Sequence, residues 1–468
     1  MRNHANSFVE SNWDVNFSGY GSNPPPPASN DNKIAFFYIR EPPKWFDRLL
    51  PRIIALLLKL IFLSISLFLH LVRNFNGHML LVQSPPAAPT MIIVWFYALL
   101  KGVPVLVDWH NYGYTILEAS SGKKTLTSKL YKLLEVNFAG SFLNANGRVK
   151  SQHFCVSQAL QRDLNERTGI KSSVVYDLPT VEFQPTTPER AHILFKKLGQ
   201  MYPALDVSDI PDQTIFTERN KSGNISWRVD RPALLVSSCS WTPDDDYSMM
   251  LEALDIYDAT VASSPNIAYH RLFCIITGKI ALPTKTTETE TTISGLLTVI
   301  NQLRPTPGRG PLKEHFAGII AKRNWKHVVV LLPWLDWSDY PVLLGCADLG
   351  VSLHRSTSGL DLPMKVVDFF GAGVPVLALA YPTLPELLSD KVVGRHFSTV
   401  DELATQLTSL LMPKEDFEGP AESQELGRYR SNLHRRRQSG LQDWHAQWQR
   451  IVLPVCRGLL PERPRKTT

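Results

Sequence analysis

Short apolar runs alternate with longer helical patterns along most of this chain. Residues 79–82 and 103–107 are typical of buried strands, and the helical pattern of residues 91–100 lies between them. A second series of the same kind begins at residues 233–237. Strands that alternate with helices form parallel sheets covered by helices on both faces. The sequence therefore predicts an α/β fold with two Rossmann-like, doubly wound domains in tandem.

Changes in composition suggest the boundaries between these domains. The polar, proline-rich N-terminal segment cannot bury enough apolar surface to fold, so we expect it to be disordered. The expected division is a disordered segment 1–33, an N-terminal domain 34–185, a linker 186–230, a C-terminal domain 231–440 with a surface insertion at 280–309, and a segment 441–468 in which a helix returns to the N-terminal domain before a short tail.

Charge and cysteine content exclude some classes of function. The chain has 49 Lys and Arg against 43 Asp and Glu, and its basic runs lack the interleaved aromatic residues of a nucleic-acid surface. We therefore expect no nucleic-acid partner. The five scattered cysteines show no CxxC spacing, which indicates free thiols in a reducing compartment and no structural metal site.

Residues 53–72 form an apolar run that is long enough to cross a bilayer. Its polar side chains fall on one face of a helix: Arg52, Lys59, Ser66, His70 and Arg73. This stripe favours a helix that lies on a membrane surface or packs on the domain, with the stripe facing water and headgroups. A membrane-spanning helix is the alternative.

Ligands of open α/β sheets bind beyond the carboxyl ends of the strands, so the residues that follow each strand are the candidates for function. Asp108 and His110 follow the strand at 103–107, together with two aromatic residues, Trp109 and Tyr112. The pattern favours a ligand-facing cluster. The alternative is a capping turn with a core tryptophan.

The strongest candidate in the C-terminal domain follows the predicted strand 349–353. Small hydroxyl residues and Gly359 precede a helix that begins near Pro363, and the N–H groups of such a start attract phosphate. Lys365 can add a positive charge, and Asp368 is placed to accept hydrogen bonds from the hydroxyls of a ribose. The alternative is an ordinary helix start whose Asp368 is solvated.

Three further strand ends give weaker signals. Gly278 and Lys279 follow residues 272–277, and a turn with Glu386 follows residues 374–379. The segment 237–246 contains Trp241 and three consecutive acids, which we interpret as a helix start rather than a metal site.

Several collinear motifs resemble a known family. They are VDWHNYGYTIL (107–117), FTER (216–219), RPALLVSSCSWTPDDDY (231–247), PWLDWSDYPVLLGCADLGVSLH (333–354) and SGLDLPMKVVDFFGAGVPV (358–376). Together they are similar to the chitobiosyldiphosphodolichol β-mannosyltransferases, which add the first mannose of the N-glycan precursor. The resemblance covers roughly residues 75–455.

The resemblance implies a GT-B fold with two domains facing a cleft and work on the cytosolic face of the endoplasmic reticulum membrane. It implies GDP-mannose as the donor, dolichol-diphosphate chitobiose as the acceptor, no required cofactor, and other mannosyltransferases of the pathway as further partners. Residues 34–185 would then face acceptor and membrane, and residues 231–440 would bind GDP-mannose. The implied donor-binding residues are Asp368, Lys365, Gly359, Ser358, Lys279, Gly278 and Trp241. The catalytic base would be His110 or Asp108, and the sequence does not choose between them.

The chain also departs from the family in two places. Residues 1–33 show no likeness to the family's anchor and first strand, so we expect the N-terminal domain to lack that strand. The family's Gly-Lys-Gly-Pro turn is split by the insertion between Gly278-Lys279 and Gly310-Pro311. Two alternatives follow: a catalytically impaired relative that scaffolds other mannosyltransferases, and a GT-B enzyme with another donor or acceptor.

Overall fold

The computed structural model describes residues 1–20, 33–43, 45–143, 148–206, 212–239, 241, 247–263, 271–277, 312–333, 335–411, 423–440 and 443–460. These residues fall into two compact units. The first contains Met1–Tyr176 and the C-terminal segment from Trp444, and the second contains the described residues between Asp177 and Asp443. The predicted insertion at 280–309 lies outside the described residues.

The first unit is built on a parallel sheet in the order β3-β4-β5-β6, and β1 and β2 form a separate parallel pair. Its elements in chain order are α1 (Arg2–Glu10), β1 (Val15–Tyr20), β2 (Ile34–Ile39), α2 (Trp45–Leu49), α3 (Arg52–Asn74), β3 (Leu80–Ser84), α4 (Thr90–Lys101), β4 (Val105–Trp109), α5 (Gly113–Ser121), α6 (Leu126–Lys132), the π-helical segments Leu133–Asn137 and Ala139–Leu143, β5 (Ser151–Cys155), α7 (Gln158–Thr168) and β6 (Ser172–Val174).

The second unit contains a six-stranded parallel sheet and an antiparallel pair, β7-β8. Its elements are α8 (Pro188–Gly199), β7 (Thr217–Arg219), β8 (Ile225–Trp227), β9 (Ala233–Ser238), α9 (Tyr247–Ala262), β10 (Leu272–Thr277), α10 (Lys313–Ile320), β11 (Val328–Leu331), α11 (Asp339–Cys346), β12 (Leu349–Ser352), α12 (Met364–Gly371), β13 (Val376–Leu379), β14 (Gly394–Phe397), α13 (Val400–Leu411) and α14 (Gln424–Gln438), with short 3₁₀ turns at Pro203–Leu205 and Leu384–Glu386. The last helix, α15 (Trp444–Leu459), belongs to the first unit.

The strand order of the second unit defines where a ligand can bind. The order is β11-β10-β9-β12-β13-β14, in which the chain moves outward in one direction from β9 and then in the other direction from β12. In doubly wound sheets of this order, ligands bind at the carboxyl ends of the two strands where the direction reverses. Gly350 on β12 allows α12 to pack closely there, since a Cβ at this position would lie 2.9 Å from the ring of Phe369.

Helices from both ends of the chain cover the sheet of the first unit. Phe8 on α1 and Trp448 on α15 share a hydrophobic cluster with Leu106 on β4 and Phe154 on β5. Phe8 and Trp448 meet edge to face, with ring centroids 4.9 Å apart. The expectation that residues 1–33 are disordered is therefore wrong for the described residues 1–20, because their few apolar side chains pack against a distant helix.

The prediction that residues 186–230 form a linker is also wrong. Phe195 on α8 and Phe216 are fully buried in the main core of the second unit, with ring centroids 4.4 Å apart. The hydroxyl of Thr186 donates to the carbonyl of Val342 at 2.9 Å. This segment is part of the second unit, because its apolar side chains complete the core beneath the sheet.

The long apolar helix α3 is oriented opposite to the prediction. Lys59 is 3% exposed and forms an ion pair with Asp47, and His70 is 8% exposed with its Nε2 2.9 Å from the hydroxyl of Ser18. Lys59 and His70 therefore pack against the protein rather than facing water, whereas Arg73 at the end of the stripe is exposed. The opposite face is apolar and exposed: Ile54, Leu57, Ile61, Ile65, Leu69 and Val72. Among the described helices, α3 is long and apolar enough to cross a membrane by length and composition.

Candidate active site

Asp108 and His110 lie together at the carboxyl end of β4. The Oδ2 atom of Asp108 is 2.8 Å from Nε2 of His110. Asp108 is 2% exposed, whereas the side chain of His110 is 26% exposed. The structure thus brings the two predicted catalytic residues into contact, and only the imidazole has appreciable access to solvent.

The charge of Asp108 fixes the tautomer of His110. Burial by itself would raise the pKa of Asp108, but His110 and His4 together lower this pKa well below its ordinary value. The group is therefore a carboxylate, which can only accept hydrogen bonds. Nε2 of His110 must carry the hydrogen of this contact, so the lone pair of the neutral ring lies on Nδ1. A buried carboxylate of low pKa is a poor proton acceptor, and this favours His110 as the base.

The aromatic neighbours of this pair belong to the core. Trp109 is 0% exposed and its Nε1 donates to Nδ1 of His153 at 3.1 Å. Burial lowers the pKa of His153 to about 4, so this ring is neutral and can accept. Tyr112 is likewise buried. The alternative of a core tryptophan thus holds for Trp109, while the neighbouring Asp108 and His110 form a partly open polar pair.

Glu135 supports the turn that carries this pair, although it was not among the predicted residues. Its carboxylate accepts the backbone N–H groups of Gly113 at 2.9 Å and Tyr114 at 3.2 Å, at the start of α5. Burial raises its pKa to about 7, against the lowering effect of these two N–H groups. A Cβ at Gly113 would lie 2.6 Å from the ring of Tyr131, so glycine is required for the close packing here.

The loop after β12 forms a compact polar turn at the reversal point of the second sheet. Gly359 has φ +73°, and its N–H donates to the hydroxyl of Ser356 at 2.8 Å. The hydroxyl of Ser358 accepts the N–H of Leu360 at 3.1 Å. Asp361 accepts a hydrogen bond from Ser356, and Thr383 donates to the carbonyl of Gly359. Asp361 and Thr383 lie in two of the strand-end segments that the sequence singles out, although neither is among the predicted site residues.

The predicted phosphate and ribose residues lie on the helix that follows this turn. Pro363 occupies the N-cap position of α12 and provides no side-chain cap, and its carbonyl accepts the N–H of Val366 at 2.9 Å. Lys365 is half-buried in the first turn of α12. Asp368 is 6% exposed, so the alternative of a solvated Asp368 is wrong. Burial, together with the nearby negative charge of Asp368, raises the pKa of Tyr340 well above its ordinary value.

Of the remaining predicted donor residues, the structure describes Trp241 alone. Trp241 is 2% exposed, and its ring stacks on Tyr247 with centroids 5.1 Å apart in the core of the second unit. Its role in donor binding stays a prediction. Gly278 and Lys279 lie outside the described residues, as do the three acids at 244–246. Within the part of the chain that the structure describes, no group of three or more His, Cys, Asp or Glu side chains could hold a metal ion.

Comparisons with known proteins identify relatives of this chain. A chitobiosyldiphosphodolichol β-mannosyltransferase of Mus musculus is 34% identical over 97% of this chain and 86% of its own length. The UDP-glycosyltransferase TURAN of Arabidopsis thaliana is 34% identical over 88% of this chain and 85% of its own length. No protein-family model matches the chain. Because 97% of the chain aligns, part of the segment 1–33 falls within the aligned region.

Solved structures agree with the predicted fold. A sucrose-phosphate synthase of Thermosynechococcus elongatus superposes with a TM-score of 0.56 at 11% identity, covering 97% of this chain and 90% of that one. HepE of Anabaena, solved with UDP and glucose, gives a TM-score of 0.51 at 15% identity, covering 90% of this chain and 86% of that one. Such low identity shows the fold alone. The predicted GT-B fold is confirmed.

Proposed function

The chain belongs to the chitobiosyldiphosphodolichol β-mannosyltransferase family, and from this relationship we propose that it transfers mannose from GDP-mannose to dolichol-diphosphate chitobiose in a β-1,4 linkage. It is a glycosyltransferase, and its family acts in the assembly of the N-glycan precursor. The choice of donor, the linkage and the cytosolic face of the endoplasmic reticulum membrane are the proposed parts.

The contact between His110 and Asp108 carries the proposal. GDP-mannose has an α-linked mannose, so a β-linked product requires one displacement with inversion. In that step an acceptor hydroxyl oxygen bonds to C1 of mannose, the bond between C1 and the diphosphate oxygen breaks, and GDP leaves. Nδ1 of His110 takes the hydroxyl proton, and the Asp108 carboxylate at 2.8 Å stabilises the imidazolium that results.

The second unit supports the donor side of the proposal. The turn at Gly359 and the start of α12 lie at the reversal point of a doubly wound sheet, where nucleotides bind in related folds. The N–H groups of the first helical turn and Lys365 would neutralise the diphosphate as it leaves. Asp368 would hold the ribose. Since side-chain and helix charges can supply this stabilisation, we expect transfer to persist in EDTA.

The exposed face of α3 supports a membrane-bound site of action. Leu57, Ile61 and Ile65 are each 54% exposed, and they follow one another at intervals of four residues along the helix. Exposed apolar side chains in such a row favour insertion into the headgroup region of a bilayer. With Lys59 and His70 of α3 packed on the protein, we propose that this helix lies in the plane of the membrane, where a dolichol-linked acceptor is found.

A transfer assay tests the proposal directly. Purified full-length protein is incubated with GDP-mannose and a short-chain lipid diphosphate chitobiose, and the product is digested with β-mannosidase and examined by linkage analysis. Formation of a β-1,4-mannoside, lost in His110→Ala, is the expected result. GDP binding without transfer in the unaltered chain would instead support the scaffold alternative.

The name of the Arabidopsis relative motivates a second arm of this assay. Because that relative is named a UDP-glycosyltransferase, UDP-glucose and UDP-N-acetylglucosamine are tested beside GDP-mannose. We expect transfer from GDP-mannose alone. Faster transfer from a UDP-sugar would overturn the proposed donor while leaving the glycosyltransferase assignment intact.

A further inference from the structure

A buried histidine from the N-terminal helix contacts the same carboxylate oxygen as His110. His4 on α1 is 3% exposed, and its Nε2 lies 3.4 Å from Oδ2 of Asp108. The opposite ring nitrogen, Nδ1, lies 3.1 Å from the indole Nε1 of Trp448 on α15. Trp448 is fully buried. Four side chains from three distant parts of the sequence thus form one continuous line of polar contacts.

The tryptophan determines which way the His4 ring donates. An indole N–H can only donate a hydrogen bond, so Nδ1 of His4 must be the acceptor of this contact. The hydrogen of the neutral ring is therefore on Nε2, which points to Asp108. The protonated Nε2 of His4 thus contacts Oδ2 at 3.4 Å, and His110 donates to the same oxygen at 2.8 Å. This arrangement fixes the rotation of the Asp108 side chain, which in turn orients the ring of His110.

We propose that His4 and Trp448 are positioning residues of the transfer reaction: Trp448 fixes the tautomer of His4, and His4 holds the Asp108 carboxylate in the orientation that supports His110. This inference rests on the proposed function, in which His110 is the base. In metal sites, partners that orient a ligating histidine change affinity or activity by roughly 10- to 100-fold when replaced, and we expect an effect of the same order here. The contrasting interpretation is a core histidine that serves packing alone.

Two replacements of His4 separate these interpretations. His4→Phe keeps a ring of similar size but removes the donor, so kcat should fall roughly 10- to 100-fold while KM for GDP-mannose changes little. His4→Gln places an amide N–H near the position of Nε2 and should restore kcat to within about threefold of the unaltered protein. Equal losses in the two variants, or unchanged kcat in His4→Phe, would overturn the proposal.

The chain offers a matched control for Trp448. Trp444, also on α15, donates from its Nε1 to the carbonyl of Asn3 at 3.2 Å and the hydroxyl of Ser7 at 3.0 Å. Its N–H therefore supports the same helix pair without bonding to His4, and its ring meets the His4 ring edge to face at 5.0 Å between centroids, a contact that a phenylalanine can keep. Trp448→Phe should lower kcat, and Trp444→Phe should leave kcat within about threefold even where both variants melt at a lower temperature. A parallel loss of kcat in both variants would indicate packing and overturn the proposal.

The tautomer of His4 can be measured without an activity assay. This measurement tests the positioning role separately from the proposed function. In ¹⁵N-histidine spectra of the full chain, His4, assigned from the His4→Gln variant, should show an unprotonated Nδ1 and a protonated Nε2. The opposite tautomer would overturn the positioning role directly. Absence of mannose transfer in the unaltered protein, with the expected tautomer present, would overturn the proposed function and also the catalytic consequence drawn for His4.

Discussion

The carboxylate of Glu135 accepts the backbone N–H of Gly113 at 2.9 Å, across 22 residues of sequence. Burial raises the pKa of Glu135 from 4.5 to about 7, so between these values the folded protein holds a proton that the unfolded chain releases. Stability contributed by this group is therefore full below pH 4.5 and is lost as pH rises through 7. The turn that carries Asp108 and His110 is thus joined to a group that titrates near neutrality.

Replacing this carboxylate should remove that pH dependence. As pH rises from 4.5 to 8, we expect the free energy of unfolding of the unaltered protein to fall relative to that of Glu135→Gln. The fall should be up to about 3 kcal/mol, the free energy that corresponds to a pKa shift of this size. Thermal melts of both proteins at several pH values measure the difference. Glu166→Gln, at an exposed position on α7, serves as the control and should follow the unaltered protein. Curves that stay parallel for Glu135→Gln would contradict the prediction.

Asp368 is expected to bind the ribose of the donor. Asp368→Ala should weaken GDP binding by about 1.5–3 kcal/mol, the range for a hydrogen bond to a charged group, as measured by calorimetry. Asp401→Ala is the control: it removes a carboxylate at an exposed position on α13, so GDP affinity should stay close to that of the unaltered protein. Unchanged affinity in a folded Asp368→Ala protein would remove Asp368 from the site.

The sequence predicts the second unit better than the first, and the reason lies in local pattern. The strand predicted at 272–277 is observed as Leu272–Thr277, because a run buried on both sides is apolar throughout. The helix start predicted near Pro363 is observed at Met364, since hydroxyl residues, glycine and proline precede it directly in the sequence. Such signals are contained within about ten residues.

The features that were missed depend on partners far away in sequence. Helical spacing correctly places Lys59 and His70 on one face of α3. Hydropathy cannot show that this face packs on the protein, where Asp47 contacts Lys59 and Ser18 contacts His70. The contact of His4 with Asp108 depends on how α1 packs. Tertiary packing of this kind leaves no periodic signal, so short polar segments that dock on a distant helix are predicted as disordered.

The roles of His110 and Asp108 can be separated by kinetics. His110→Ala should lower kcat by roughly 10²- to 10⁴-fold at saturating GDP-mannose, the usual contribution of a general base. Asp108→Asn keeps a side chain of the same shape but removes the charge that supports the imidazolium, so it should lower kcat by a smaller factor. GDP affinity should be unchanged in both, since the proposed nucleotide residues lie in the second unit. A larger loss in Asp108→Asn than in His110→Ala would make Asp108 the base.

The exposed apolar face of α3 should be required for membrane binding. Each of Leu57, Ile61 and Ile65 is about half exposed, and burying that remaining area in lipid is worth on the order of 1 kcal/mol per side chain. The triple replacement by serine should therefore reduce binding to phospholipid vesicles by roughly 100-fold in a flotation assay. Ser66→Ala is the control: the Ser66 hydroxyl donates to the carbonyl of Arg40 at 2.8 Å, so its loss should leave binding unchanged.

The same helix should lie in the membrane plane rather than cross it. Its two ends can be marked by Arg48→Cys, just before α3, and Arg73→Cys in its last turn, since all five native cysteines are buried. In sealed microsomes, a membrane-impermeant thiol reagent added outside should label both new cysteines. Alkaline carbonate should then release the protein, because Lys59 and His70 pack on the domain rather than facing lipid. Labelling of one position alone, with the protein retained after carbonate, would show that α3 spans the bilayer.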